Sequence, residues 1–400
     1  MRMHTLAAII AASLAAAMAP ARAVEASADN DSGVQASAAR DEGVSDQGGA
    51  ADQGAQDAAS AANVRAGGSD RPVLFHFAGY ADVTYVNSQD DDAPSVLYTL
   101  APILHVQLGD RFFVESEFEM EGDNGGERET AVEYATINWL INDQAALVVG
   151  KFLSPAGYFF QNLHPSWINR LASVPAGFGH GGAAPLTDVG VQLRGGRTFD
   201  NGQHINYAIY YANGPRLGLE DMEGLDLDVE GSTRNPDGER VVGGRLGWMP
   251  VPNLELGVSA VKGNVVLDTG EMAMGPEPSR SYRVEGVDAV WRPVKALELR
   301  GEWIRQQVGA AAASIAPDGA RWRAWYAQGV YRFGADRWEA VLRYGDSDSP
   351  HGESTFTQTA IGLNYLYRPH RQVKLTCEFN DSDDAEASAD RLLLQLAYGF

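Results

Sequence analysis

Residues 72–400 predict an all-β fold: a closed 16-stranded antiparallel transmembrane β-barrel with short periplasmic turns and long extracellular loops. Three observations predict it. The last segment, 390–400 (DRLLLQLAYGF), sets Leu392, Leu394, Leu396, Tyr398 and Phe400 on one face and stops on an aromatic residue, so alternate side chains meet lipid and the last two reach the interfacial girdle. The segments before it, about ten to thirteen residues each with period-two alternation, are joined by connections that are alternately short and long. At the other end, Arg2, the apolar run Leu6 to Met18 and Ala21-Arg22-Ala23 form a signal peptide with its cleavage site over 1–23. No later stretch approaches the roughly 20 continuous apolar residues of a membrane helix, so any crossing falls to strands.

Residues 24–71 are a leader of Ala, Gly, Ser, Asp and Gln without an aromatic residue. Such a segment buries too little apolar surface to offset its ordering entropy and is expected to be a disordered, solvated periplasmic tail. Of the formal charge of −22, residues 24–70 carry −7 and the barrel −17. This balance argues against nucleic acid and polyphosphate, and fits a cation-favouring lumen and loops that divalent ions bridge to lipopolysaccharide. Cys377 is the single cysteine, so no intramolecular disulfide forms; its place on a lipid-facing position makes it a small apolar residue.

In chain order the predicted strands are 73–86, 97–108, 112–122, 129–141, 145–152, 187–198, 204–213, 240–249, 254–263, 281–292, 296–308, 321–333, 337–346, 356–368, 372–380 and 390–400. Short turns rich in Gly, Asn, Asp and Pro reverse the chain between hairpins, as at Gly109-Asp110-Arg111 and Asn142-Asp143-Gln144. Outward faces are apolar: Phe75, Phe77, Ala81, Val83 and Tyr85 on the first strand, Leu297, Leu299 and Trp303 on the eleventh. Trp248, Trp291, Phe333, Trp338, Tyr367 and Phe400 gather beside the short turns as a girdle. Two strands fit poorly. The frame that turns Trp139 outward also turns Glu133 outward, and Trp291 does the same to Glu285; a bulge or a subunit contact would resolve either.

Inward faces carry the chemistry, because sixteen strands enclose an aqueous channel. Strand 112–122 opposes an outward Val114, Ser116, Phe118 and Met120 with Glu115, Glu117, Glu119 and Glu121, four carboxylates that no packed core would accept. Lys151, Arg194, Arg245, Arg300, Arg343 and Lys374 are placed inward on other strands, with Glu298 and Glu302 flanking Arg300. Acidic and basic walls would set a transverse field, although some arginines serve equally to neutralise neighbouring glutamates. The third long connection, Leu153 to Thr187, carries aromatic and apolar residues costly to expose, so it is expected to fold inward and narrow the lumen; Phe159, His164, Trp167, Arg170 and His180 are its candidate constriction residues.

Together with the signal, leader and strand count, the Gly-Lys-Phe-x-x-Pro element at Gly150 to Pro155 and the terminal Tyr-Gly-Phe make residues 71–400 resemble the phosphate-selective porin O and P family, with general porins as alternative relatives. The resemblance implies a trimeric, sixteen-stranded outer-membrane channel of a Gram-negative cell, with no cofactor and no catalytic turnover. That family's lysine-rich pore is not matched: Lys151, Lys262, Lys295 and Lys374 are the only lysines. The expectation is therefore a passive, cation-leaning diffusion channel for small hydrophilic solutes or ions. A phosphate or anion channel is the alternative; a lipase-like barrel enzyme or a plugged structural barrel are rivals of other classes. Leu267-Asp268-Thr269-Gly270 lacks the second carboxylate of an aspartic-protease site, and His180-Gly181-Gly182 lacks a nucleophile elbow. His164 and His180, without clustered Cys or His, are a weak metal signal, and no metal site is assigned.

Overall fold

The computed structural model describes residues 73–89, 93–179, 181–219, 226–231, 238–269, 276–350, 355–368, 370–383 and 387–400. The predicted signal peptide and leader, and the candidate constriction residue His180, lie outside them. Sixteen strands close a barrel in chain order: β1 (Val73–Ser88), β2 (Ser95–Leu108), β3 (Phe112–Asp123), β4 (Arg128–Asn142), β5 (Ala145–Leu153), β6 (Thr187–Thr198), β7 (His204–Ala212), β10 (Val241–Val251), β11 (Leu254–Val266), β12 (Ser279–Val294), β13 (Leu297–Val308), β14 (Ala320–Phe333), β15 (Trp338–Asp348), β16 (Thr355–Arg368), β17 (Arg371–Ser382) and β18 (Arg391–Gly399). A helical turn, α1 (Phe159–Leu163), follows β5, and a separate hairpin of β8 (Arg216–Leu219) and β9 (Leu227–Glu230) follows β7. All sixteen predicted segments are strands, with ends moved by three residues or fewer.

Every barrel strand pairs antiparallel with its neighbours, and β1 closes on β18 with Tyr80 opposite Gly399 and Ser88 opposite Arg391. Phe400 finishes the seam: its backbone exchanges two hydrogen bonds of 2.9 Å with Gly79, and its ring lies 5.9 Å from both Phe77 and Tyr398. Closure leaves no unpaired edge, which strands need in hydrocarbon because no water is present to satisfy an open one. Outward residues such as Phe77, Ile137, Ile209, Leu342 and Leu396 are exposed and apolar. Trp248, Trp291, Trp338 and Tyr367 are exposed beside the short turns. Cys377 stands opposite Ile361 and Leu392 on this outer face, buried between larger neighbours.

The two poorly fitting strands resolve differently. In β4 the register slips where Glu117 faces Tyr134 and Phe118 faces Val132, so Glu133 is the extra residue of a β-bulge. The bulge restores the alternation on both sides, with Trp139, Ile137 and Val132 outward. In β12 the ladder runs unbroken past Glu285, which stays on the outer face and is ion-paired there by Arg283 and Arg305.

The interior differs from an all-aqueous lumen. An apolar cluster fills the side of the barrel bounded by β10–β14: Phe159, Phe160 and Phe178 of the third loop and Leu217, Leu227 and Val229 of the β8–β9 hairpin pack on inward Val261, Val284, Ile304, Trp322 and Tyr326. The third loop is long enough to reach that wall, so inward positions there are apolar for the ordinary reason of core packing.

Candidate functional site

The third loop, 154–186, enters the barrel and is fastened to one wall by charged side chains that bind its backbone. Glu302 on β13 accepts the N–H groups of Tyr158 at 2.8 Å and Phe159 at 3.0 Å, the first donors of α1. Ser259 accepts the N–H of Gly157 at 3.0 Å. Gly157 has φ +96°, and a Cβ there would stand 2.3 Å from Glu302 Oε1, so both conformation and space require glycine. Further along, Arg343 donates to the carbonyls of Ser173 (3.0 Å) and Val174 (2.9 Å) and to the Ser173 hydroxyl (2.9 Å). Lys374, fully buried, donates to the carbonyls of Ser166 and Leu171 and to Gln395 at 2.8 Å. Asn364 reaches the Arg170 carbonyl at 2.7 Å, and the Leu171 side chain fits over Gly362, where a Cβ would meet it at 2.5 Å.

These contacts place the sequence-predicted residues. Arg343, Lys374 and Glu302 hold the loop. Arg300 is buried and paired with Glu298, which also accepts from Arg292 at 2.8 Å. Arg245 is held by Asp288 (2.6 Å) and Glu255 (3.0 Å), with Tyr158 stacked 5.3 Å from its guanidinium. Burial, with Glu255 acting in the same direction, lifts the Tyr158 phenol above its ordinary range. Phe159 is core rather than channel lining, and Trp167 packs edge-on against His370 at 5.0 Å. Arg170 pairs with Glu339 at 3.5 Å; burial lowers its pKa, and Glu339 opposes that shift. Lys151 does not face the lumen. The ladder sets it opposite outward Ala135 and Val189, with its ammonium on the Val132 carbonyl at 2.6 Å. Strand β5 turns Val148 and Phe152 inward because they meet the packed half of the interior, which inverts the rule that apolar residues point out.

The opposite wall, β1–β5, is where the carboxylates gather. Asn138 donates to Glu115 at 2.8 Å, and Arg194 approaches Glu115 at 3.9 Å. Tyr80 donates to Glu117 at 2.9 Å and reaches Glu119 at 3.4 Å. Glu119, Glu121 and Glu129 border a cavity of about 940 Å³, whose other side is His164, Ser166, Asn169 and Ala172 of the third loop. A second cavity, about 590 Å³, lies toward the short turns between Gln161, Asn162, Arg194, Arg245 and Glu255. Glu133, turned inward by its bulge, was missed as a site residue although its frame conflict was legible. Carboxylate oxygens of Glu119 and Glu133 and a ring nitrogen of His164 lie within 4.8 Å of one another.

The fold is that of sixteen-stranded porin barrels. The chain superposes on an anion-selective porin from Comamonas acidovorans (TM-score 0.55, 12% identity) across 82% of this chain and 100% of that one. It superposes equally on the outer-membrane channel DcaP of Acinetobacter baumannii (0.54, 11%; 82% and 97%) and on OmpF of Salmonella typhi (0.53, 13%; 82% and 98%). No protein-family model matches the chain, and no curated protein matches it.

Proposed function

We propose that the protein is an outer-membrane diffusion channel, passive and cation-leaning, whose route runs between the third loop and the β1–β5 wall. The observation that carries this reading is an asymmetry of the charges. The inward cations Arg245, Arg300, Arg343 and Lys374 are bound to carboxylates or to loop carbonyls, and the cavity between the third loop and the β1–β5 wall is bordered by six carboxylates (Asp82, Glu119, Glu121, Asp123, Glu127 and Glu129) against two arginines, Arg128 and Arg391. Fixed carboxylates beside water draw in counter-ions, and low-dielectric walls focus that field. The porin barrel supports a place in the outer membrane of a Gram-negative cell, with short turns periplasmic and long loops outside. A homotrimer follows by likeness to OmpT of Vibrio cholerae, described in a trimer form (TM-score 0.50, 10% identity; 82% and 99% covered). Reversal potentials across planar bilayers under a KCl gradient test the reading: the expected sign is cation preference, and anion preference would return the phosphate or anion alternative.

A second reading, a plugged structural barrel, is favoured by the apolar cluster that fills one side of the interior. It predicts no single-channel conductance, against discrete openings for a channel.

A further inference from the structure

The proposed route brings together three metal-ligating side chains from three separate elements. Glu119 comes from β3, Glu133 from the bulge of β4 and His164 from the third loop, just beyond α1. Each is positioned by something other than the cluster. Glu119 stands next to Glu117 and Glu121 on the inward face and is met by the Tyr80 hydroxyl. Glu133 is inward only because the β3–β4 register slips at that residue. His164 packs 6.1 Å from the Phe160 ring, and the loop after it is fixed where the carbonyls of Ser166 and Trp167 accept from Lys374 and Gln372.

We infer that Glu119, Glu133 and His164 form a binding site for a divalent transition-metal ion of the zinc class, set across the route between wall and loop. The donor set is mixed. Two carboxylates alone would suit hard ions such as magnesium, which keep their water and hold loosely; an imidazole nitrogen shifts preference toward zinc, nickel or copper. The spacing fits as well. An ion about 2.0–2.1 Å from each donor brings tetrahedral ligands to about 3.3 Å from one another, and side-chain rotation from within 4.8 Å covers that difference. Three protein donors leave a fourth position for water or a passing anion. Arg194, which pairs with Glu115 further toward the short turns, does not occupy the site. A bound ion joins the third loop to the wall, so it narrows the route and cancels the negative charge of the two carboxylates that hold it.

This inference rests on the channel reading for its effect on conduction and on the three side chains alone for binding, so two measurements separate them. Zinc titrated into single-channel recordings of the full-length protein is expected to block, while magnesium at equal concentration leaves conductance unchanged. His164→Ala and Glu133→Gln are each expected to raise the half-blocking zinc concentration about tenfold or more. Asp348→Asn, on the outer wall, keeps the wild-type value. Calorimetric titration of the refolded barrel with zinc, which needs no conduction, is expected to show one site per chain that His164→Ala removes. No zinc binding by calorimetry, or block and binding equally strong in both site variants, would overturn the assignment. Binding without conductance would retain the site and reject the channel.

Discussion

Glu302 on β13 accepts the backbone N–H of Tyr158 at 2.8 Å, a contact between residues 144 positions apart that fixes where the third loop crosses the barrel. The same carboxylate takes the N–H of Phe159, and both donors sit beside the apolar cluster, away from the open cavities. Buried N–H groups left without an acceptor cost about 1–3 kcal/mol each. Glu302→Ala is therefore expected to free the start of the loop, raise single-channel conductance and lower the temperature at which the barrel unfolds on heated gels. Glu302→Gln keeps one acceptor oxygen and is expected to fall between. An unchanged conductance in Glu302→Ala would show that the loop is held in place by its apolar packing and its other anchors, Ser259, Arg343 and Lys374, without Glu302.

The acidic wall and the basic anchors should separate in their effects on selectivity. Replacing Glu115, Glu117, Glu119 and Glu121 together by Gln is expected to move the reversal potential toward zero or past it, because Glu119 and Glu121 border the cavity and Glu115 and Glu117 continue the same inward face of β3. The variant should fold at least as readily, since neutral amides replace crowded carboxylates and still accept from Tyr80 and Asn138. Reversal potentials in paired KCl solutions read the outcome directly.

Arg343 makes the opposite case. It is buried, bound to two loop carbonyls and a hydroxyl, and stands 3.9 Å from Glu378. Arg343→Met leaves those loop acceptors without their donor, a loss of about 1–3 kcal/mol for each buried group, while Glu378 keeps its pair with Arg391. The expected outcome is a less stable barrel with the ion preference of the parent, measured by thermal unfolding in detergent and by reversal potential.

The barrel itself was legible because transmembrane strands repeat one physical demand: an apolar outward face and a fixed length between girdles. That demand placed all sixteen strands and the closing Phe400. Alternation fails as a guide where both faces are apolar. On β5, Val148 and Phe152 point into the packed half of the interior, which puts Lys151, expected inward as a charged residue, on the outer face. The β8–β9 hairpin escaped because it makes its core with the wall of another segment, a non-local contact that no local pattern encodes. Glu133 lay between these cases: its conflict with Trp139 pointed to a bulge, while its meeting with His164 depends on how the loop folds back. The inward loop was foreseeable from its exposed apolar cost, but not which carbonyls Arg343 and Lys374 would bind.

The outer wall at the long-loop end carries a row of cations on a strongly acidic chain. Cross-strand pairing sets Lys262 opposite Arg283, Arg283 opposite Gln307 and Gln307 opposite Arg321, and these side chains border a surface crevice of about 880 Å³. Below them Arg305 stands opposite Arg323, and below those Trp303 stands opposite Trp325, whose ring meets Tyr344 edge-on at 5.6 Å. Aromatic rings at the interface with cations just beyond match the order of acyl chains and phosphates in an outer leaflet of lipopolysaccharide. Glu285 offsets part of this charge by pairing with Arg283 and Arg305, which leaves Lys262 and Arg321 as the cations most available to lipid phosphate. Replacing Lys262 and Arg321 by Glu is expected to reduce the lipopolysaccharide retained through purification while leaving conductance and ion preference at parental values, because neither residue faces the lumen. Native mass spectrometry with intact and dephosphorylated lipid A decides the point: equal retention of both lipids, or no loss in the double variant, would mean that acyl-chain contact alone holds the lipid.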